Sequence, residues 1–129
     1  MEVRYAETDQ MGVVHHAAYL VWFELARTHH CRLSGKSYAE IEAMGYILMV
    51  TGAHLRYRRS ARYGDTVRIL CWLAELGSRM LRFEYEIRRG EELLTRGATE
   101  HVWVERTTGK PCSTPEPLRA AFEGLAGGV

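Results

Sequence analysis

Nowhere in the 129 residues is there an apolar run of the roughly 18 residues that a membrane-spanning helix needs, so no membrane span is expected. The opening Met1-Glu2-Val3-Arg4 lacks the apolar stretch of a signal peptide. Cysteine is sparse: Cys31, Cys71 and Cys112 are odd in number and have no C-x-x-C spacing. That argues against a disulfide framework and for a reducing compartment. A cytoplasmic location is the resulting expectation. Charge of one sign is also missing, because 17 Lys and Arg against 16 Asp and Glu leave a formal net charge of +1. Such a chain carries no global field favouring nucleic acid. There is no G-x-S-x-G elbow and no phosphate-cradling glycine loop. His15-His16 and His29-His30 stand 14 residues apart, roughly 21 Å along a helix. With no H-x-x-x-H spacing, no metal centre is expected.

What is present reads as one domain over residues 1–129. Hydrophobic content of 47% and charged content of 26% are ordinary for a globular protein. From about Ala17 to Leu33 the spacing predicts the one long helix, apolar on every side through Ala26 except at Glu24. A helix of that kind is a buried one. Ser34-Gly35 is a plausible stop, and a short helical piece over Tyr38–Met44 ends at Gly45. From Tyr46 the period becomes two. Strands are expected near 46–57, 67–73, 81–87 and 93–105, with Val3–Glu7 as an additional one. Short connections between consecutive strands point to an antiparallel meander. A short amphipathic helix (Leu118, Ala121, Phe122) and a glycine-rich end at Gly127-Gly128 follow. One buried helix followed by four long strands implies an α+β chain in which an antiparallel sheet wraps around the helix. Its open edges favour a homo-oligomer, dimer or tetramer.

The chemistry concentrates in Tyr5-Ala6-Glu7-Thr8-Asp9-Gln10-Met11-Gly12-Val13-Val14-His15-His16. A carboxylate and a histidine seven residues apart flank a glycine-containing turn that leads into the long helix. Free N–H groups and about half a positive charge stand at a helix N-terminus. These would favour an ionised Asp9 and a developing oxyanion alike. The plain alternative is a turn or capping aspartate. Asp9 lies too far ahead of the expected helix start for an ordinary cap. Glu24 inside the buried run requires a partner, which Arg27 at i+3 would supply. Arg56, Arg58, Arg59 and Arg62 form a basic cluster at a strand end; the default for such a cluster is a solvated surface.

Tyr5-x-x-x-Thr8-Asp9-x-x-Gly12-Val13-Val14-x-His16-x-x-Tyr19-Leu20, continued by Glu24-x-Ala26-Arg27, resembles the hotdog-fold acyl-CoA thioesterases, in particular the 4-hydroxybenzoyl-CoA thioesterase and YbgC group. The resemblance implies the hotdog fold and hydrolysis of an acyl-CoA to free acid and coenzyme A. It assigns the nucleophile or general base to Asp9 and the polarising amide to His16, with Tyr5 and the His16 ring assisting. Coenzyme A is then part of the substrate, no separate cofactor is expected, and Arg58, Arg59 and Arg62 are candidates for its phosphates. Trp22, Phe23, Ile47 and Met49 would shape an acyl pocket at a subunit interface. His15 stands where the YbgC branch usually has an aromatic, and Gln10-Met11 replace smaller residues. A hydratase or dehydratase acting on enoyl-CoA, and a non-catalytic acyl-CoA-binding module, are the alternatives.

Overall fold

The structure, a computed structural model, describes residues 1–127; Gly128 of the expected glycine-rich end lies outside them. The period-two segments form strands β1 (Tyr46–Tyr57), β2 (Arg68–Leu76), β3 (Met80–Arg89), β4 (Glu92–Glu105) and β5 (Pro111–Cys112) of one antiparallel sheet. Helices α1 (His16–Arg32), α2 (Tyr38–Ala43) and α3 (Glu116–Gly127) complete the chain. β2, β3 and β4 are joined by tight turns at residues 77–79 and at Gly90-Glu91, where Gly90 takes φ +60°. The meander expected from Tyr46 onward nevertheless fails at its first step. Strand order is β1-β4-β3-β2, with β1 paired along β4 from Tyr46↔Glu105 to Tyr57↔Thr95. The segment 58–67 between β1 and β2 exceeds the two to five residues of a hairpin loop. It carries the chain across to the far edge of the sheet.

Alternation along β3 separates the two faces. Leu81, Phe83, Tyr85 and Ile87 are buried on the inner face, where α1 packs. The outer face carries Arg82, Glu84, Glu86 and Arg88, cross-linked by pairs such as Arg88–Glu86 at 3.0 Å and Arg96–Glu86 at 3.0 Å. Pairs of this kind contribute at most about 1 kcal/mol each; the inner face supplies the stability. Phe23 of α1 stacks on Tyr85 with ring centroids 4.2 Å apart. It comes so close to Gly97 of β4 that a Cβ there would overlap the ring and meet the His54 carbonyl oxygen at 3.0 Å.

Burial of α1 is one-sided. Ala18, Tyr19, Trp22, Phe23, Arg27 and Cys31 face inward, whereas Leu20, Val21 and Leu25 are about half exposed. A single sheet covers one face of a helix only, so the expectation of burial all round fails for the isolated chain. The Glu24–Arg27 pair is absent as well. Glu24 is exposed, and buried Arg27 donates to the hydroxyls of Tyr38 and Tyr85, each at 3.0 Å. From Tyr85 the hydrogen bonds continue to Thr99 at 2.6 Å and on to His101 at 2.8 Å. This polar chain ties α1, α2, β3 and β4 together beneath the helix.

The segment Val3–Glu7 is not a strand. Val3 is buried and exchanges backbone hydrogen bonds with Asp65 and Gly64, and Tyr5–Glu7 forms a 3-10 turn. The amide and hydroxyl of Thr8 both donate to the Tyr5 carbonyl, which bends the chain toward the next loop. α2 starts on a capping box, with the Ser37 hydroxyl accepting the Glu40 amide at 3.2 Å. In α3, Phe122 packs edge-on against Trp103 of β4 at 5.4 Å. Among the described residues no helix is long and apolar enough to cross a membrane, and no group of three His, Cys, Asp or Glu side chains could hold a metal ion.

Two outcomes follow from this packing. Gly97→Ala overpacks the Phe23 ring and is expected to cost about 1–3 kcal/mol in urea unfolding. Burial, helped by the Arg27 charge, lowers the pKa of His101 to about 3. The unfolded chain takes up a proton on this histidine near its ordinary value of about 6.5, the folded chain only near 3. Stability is therefore lost as pH falls between those values. His101→Gln is expected to flatten the decline in Tm between pH 7 and pH 4.

Candidate active site

The loop from Thr8 to Val14 is a small turn built on its own aspartate. Asp9 and Val13 are joined by an amide–carbonyl bond of 2.8 Å, and Gly12, at φ +76°, donates back to the Asp9 carbonyl at 3.0 Å. Asp9 Oδ1 accepts the amides of Met11 at 2.8 Å and Val13 at 3.3 Å. The turn-aspartate reading and the chemical one thus describe different oxygens of one carboxylate. Oδ1 fixes the turn, and Oδ2 is left without a hydrogen-bond partner among the described residues.

From Val14 the chain enters α1 at His16, with His15 at the N-cap and no side chain closing that end. The first-turn amides therefore keep donors to spare. Asp9 and His16 line one cavity of about 490 Å³, with His15, Tyr19, Tyr57 and Arg59 around them. The His16 ring stacks on Tyr57 with centroids 4.5 Å apart, and Tyr57 meets Tyr19 edge-on at 5.1 Å. Tyr57 comes from β1, so the sheet and the helix each supply a wall. Sequence reasoning missed Tyr57; its place at the end of the alternating strand, beside the arginine cluster, was the available signal.

Other candidates fall differently. Tyr5 is 76% exposed, packs edge-on against Tyr63 at 5.8 Å, and is not among the residues lining the cavity. Of the three arginines only Arg59 reaches the cavity wall, where it also pairs with Glu92 at 3.0 Å; Arg58 and Arg62 are exposed nearby. Trp22 and Phe23 are fully buried in the core and line no part of this cavity. Their apolar surface goes into packing under the sheet. Ile47 lines a second cavity of about 300 Å³ with Glu24, Arg27 and Tyr38, and Met49 is exposed on β1.

Glu7 is the residue whose importance the sequence hid. Its carboxylate is 6% exposed and accepts the Trp22 indole N–H at 2.5 Å and the Arg4 amide at 2.9 Å. Burial pushes its pKa up. The hydrogen bonds from the Arg4 backbone, the Trp22 indole and the Arg4 side chain outweigh that, so the carboxyl is held below its ordinary range. Only the burial of a carboxylate next to a large aromatic distinguishes it, and neither is visible in one sequence.

A sheet wrapped on one long helix, with a carboxylate turn at the N-terminus of that helix, defines the hotdog architecture of the thioesterases. The family model of the thioesterase-like superfamily matches residues 3–122, and the chain belongs to that family. It is 35% identical to the putative acyl-CoA thioesterase YneP of Bacillus subtilis, over 86% of this chain and 81% of that protein. The crystal structure of a hypothetical protein, TT1821, from Thermus thermophilus superimposes with a TM-score of 0.92 at 40% identity, covering 97% of this chain and 95% of the other. The DHNA-CoA thioesterase from Staphylococcus aureus does so with a TM-score of 0.90 at 34% identity, covering 97% and 87%.

Because Asn retains an Oδ1 acceptor, Asp9→Asn is expected to keep the turn and to melt within a few degrees of the wild type. Asp9→Ala leaves the Met11 and Val13 amides without their acceptor and is expected to cost about 1 kcal/mol in denaturant titration.

Proposed function

We propose that this protein is an acyl-CoA thioesterase, hydrolysing the thioester to a free acid and coenzyme A. The observation that carries the reading is that Asp9 and the uncapped first turn of α1 line the same cavity. In this reading a thioester carbonyl sits with its oxygen toward the His16 amide and its carbon facing the free oxygen of Asp9. The carboxylate either attacks the carbon or removes a proton from an attacking water. Negative charge then grows on the carbonyl oxygen, where the amide and the positive end of the helix oppose it. The sulfur departs as coenzyme A thiolate. Where Asp9 attacked, water then cleaves the acyl–aspartate anhydride to the free acid; where Asp9 acted as base, its proton passes to the thiolate. General-base help is worth about 10²–10⁴ in rate and one oxyanion donor about 10²–10³. The His16 ring, held by Tyr57, would orient the acyl group. Tyr5 has a role only if its exposed ring is brought to the cavity in an assembly. Arg59 at the rim, with Arg58 and Arg62 beyond it, offers guanidinium groups to the phosphates. The names of the relatives support the same chemistry.

The reading includes a homo-oligomer. β1 pairs with β4 on one flank, with no strand on its other flank among the described residues, and Ile47, Met49 and Val50 of β1 are exposed, as are Leu20, Val21 and Leu25 of α1. An unpaired strand with apolar side chains pairs readily with another copy of itself. Sedimentation velocity is expected to show a dimer or tetramer, and Val50→Glu to shift it to a smaller species. A wild type that sediments as a monomer would remove this part of the proposal.

Purified protein tested on a panel of acyl-CoAs with a thiol reagent is expected to release coenzyme A. Asp9→Asn is expected to lower kcat about 10²-fold or more. Loss of enoyl absorbance without thiol release would instead assign a hydratase. Binding with no turnover of any substrate in the panel would assign a binding module.

A further inference from the structure

We propose that Glu7 is a positioning residue for this reaction, its carboxylate fixing, through the Trp22 indole, where the Asp9 turn stands against the first turn of α1. The proposal rests on the hydrolytic reading of Asp9. Glu7 lies two residues before Asp9 and joins three parts of the chain. Its carboxylate accepts the Trp22 indole N–H from the second turn of α1 at 2.5 Å. The same carboxylate accepts the Arg4 amide at 2.9 Å, which closes the 3-10 turn. Its carbonyl oxygen accepts the amide of His15, the residue that opens α1, at 3.0 Å. Trp22 itself is fully buried. Its indole is therefore a fixed post, and a hydrogen bond from it to a charged acceptor is stronger and shorter than one between neutral groups.

The opposite flank of the turn is fastened in a parallel way. The Val14 amide donates to the Ala61 carbonyl at 2.8 Å, and the Ala61 amide donates to the Tyr19 hydroxyl at 3.4 Å. Both fastenings end on side chains of α1, three residues apart on its buried face. The helix thus supplies the amide that faces the carbonyl and also holds the carboxylate turn at a set distance from that amide. Of the two posts only the Glu7–Trp22 one involves a charge. It also lies outside the cavity, so Glu7 has no route to the substrate except through Asp9 and His15. A misplacement of about 1 Å between reacting groups is enough to cost about 10²-fold in rate.

The test is a double-mutant cycle of Glu7→Gln and Trp22→Phe, measured as kcat, KM and Tm on an acyl-CoA that the wild type hydrolyses. Each single variant is expected to lose kcat by about 10-fold or more, with KM held within about two-fold. The double variant is expected to fall no lower than the worse single one, because both remove the same fastening. Arg4→Ala removes only an exposed partner of Glu7 and is expected to keep full kcat. A kcat for folded Glu7→Gln within two-fold of the wild type overturns the proposal. So does a cycle in which the two losses multiply, or a Tm loss with kcat intact, which is the signature of a merely structural role. If Glu7→Gln does not fold, Trp22→Phe decides by the same criteria. The underlying reading fails separately, through a wild type without thiol release or an active Asp9→Asn.

Discussion

A carboxylate and a helix terminus accomplish nothing together unless the chain holds them at a fixed separation. Here that separation depends on the bond between a buried indole and a buried carboxylate, Trp22 to Glu7. Without it, the loop from Thr8 to Val14 would be fastened to α1 on one flank only, through Ala61 and the Tyr19 hydroxyl. With it, the loop inherits the rigidity of a helix that is itself fixed by Phe23 stacked on Tyr85 and by Arg27 buried among tyrosines. The core and the site are therefore one construction. Gly97 belongs to it as well, because only a residue without a Cβ lets the Phe23 ring, and with it the helix, settle so close to β4.

The sheet gives α1 one covered face and leaves the other apolar. That asymmetry explains why the chain keeps leucine and valine at exposed helical positions and isoleucine, methionine and valine along the free edge of β1. An oligomer that covers both is the arrangement in which no such surface faces water. The second cavity, beside Ile47 and Glu24, opens near this same edge.

Much of this architecture was legible from residue spacing. The long helix, the short one after it and four alternating strands fall within a few residues of their expected places, because burial on one face imposes a period that sequence displays directly. Strand order was not legible. Both β2 and β4 offer β1 a free flank beside β3, and alternation along the strands carries no record of which one it takes. The length of segment 58–67 was the one available hint. The first residues were misread as a strand because the Arg4 amide and the Thr8 hydroxyl find local acceptors, which a ladder would have replaced. Asp9 and His16 were singled out by their placement around a glycine turn and by the resemblance their motif carries, and both line one cavity. Tyr57 was hidden because it reaches the cavity from a strand end, and Glu7, outside the cavity, because only folding buries it against Trp22. Tyr5 was drawn toward the cavity by its place in the motif that carries the resemblance, and Trp22 and Phe23 by residue type. An exposed ring and a filled core keep them apart from it.

Whether Asp9 and the His16 amide act on the same carbonyl group is decided by a crystal structure with a non-hydrolysable acyl-CoA analogue. The carbonyl oxygen is expected about 3 Å from the His16 nitrogen and the carbonyl carbon about 3–3.5 Å from the free Asp9 oxygen, or one water away from it. An analogue seated with its carbonyl turned away from the first turn of α1, or held elsewhere in the molecule, would contradict it.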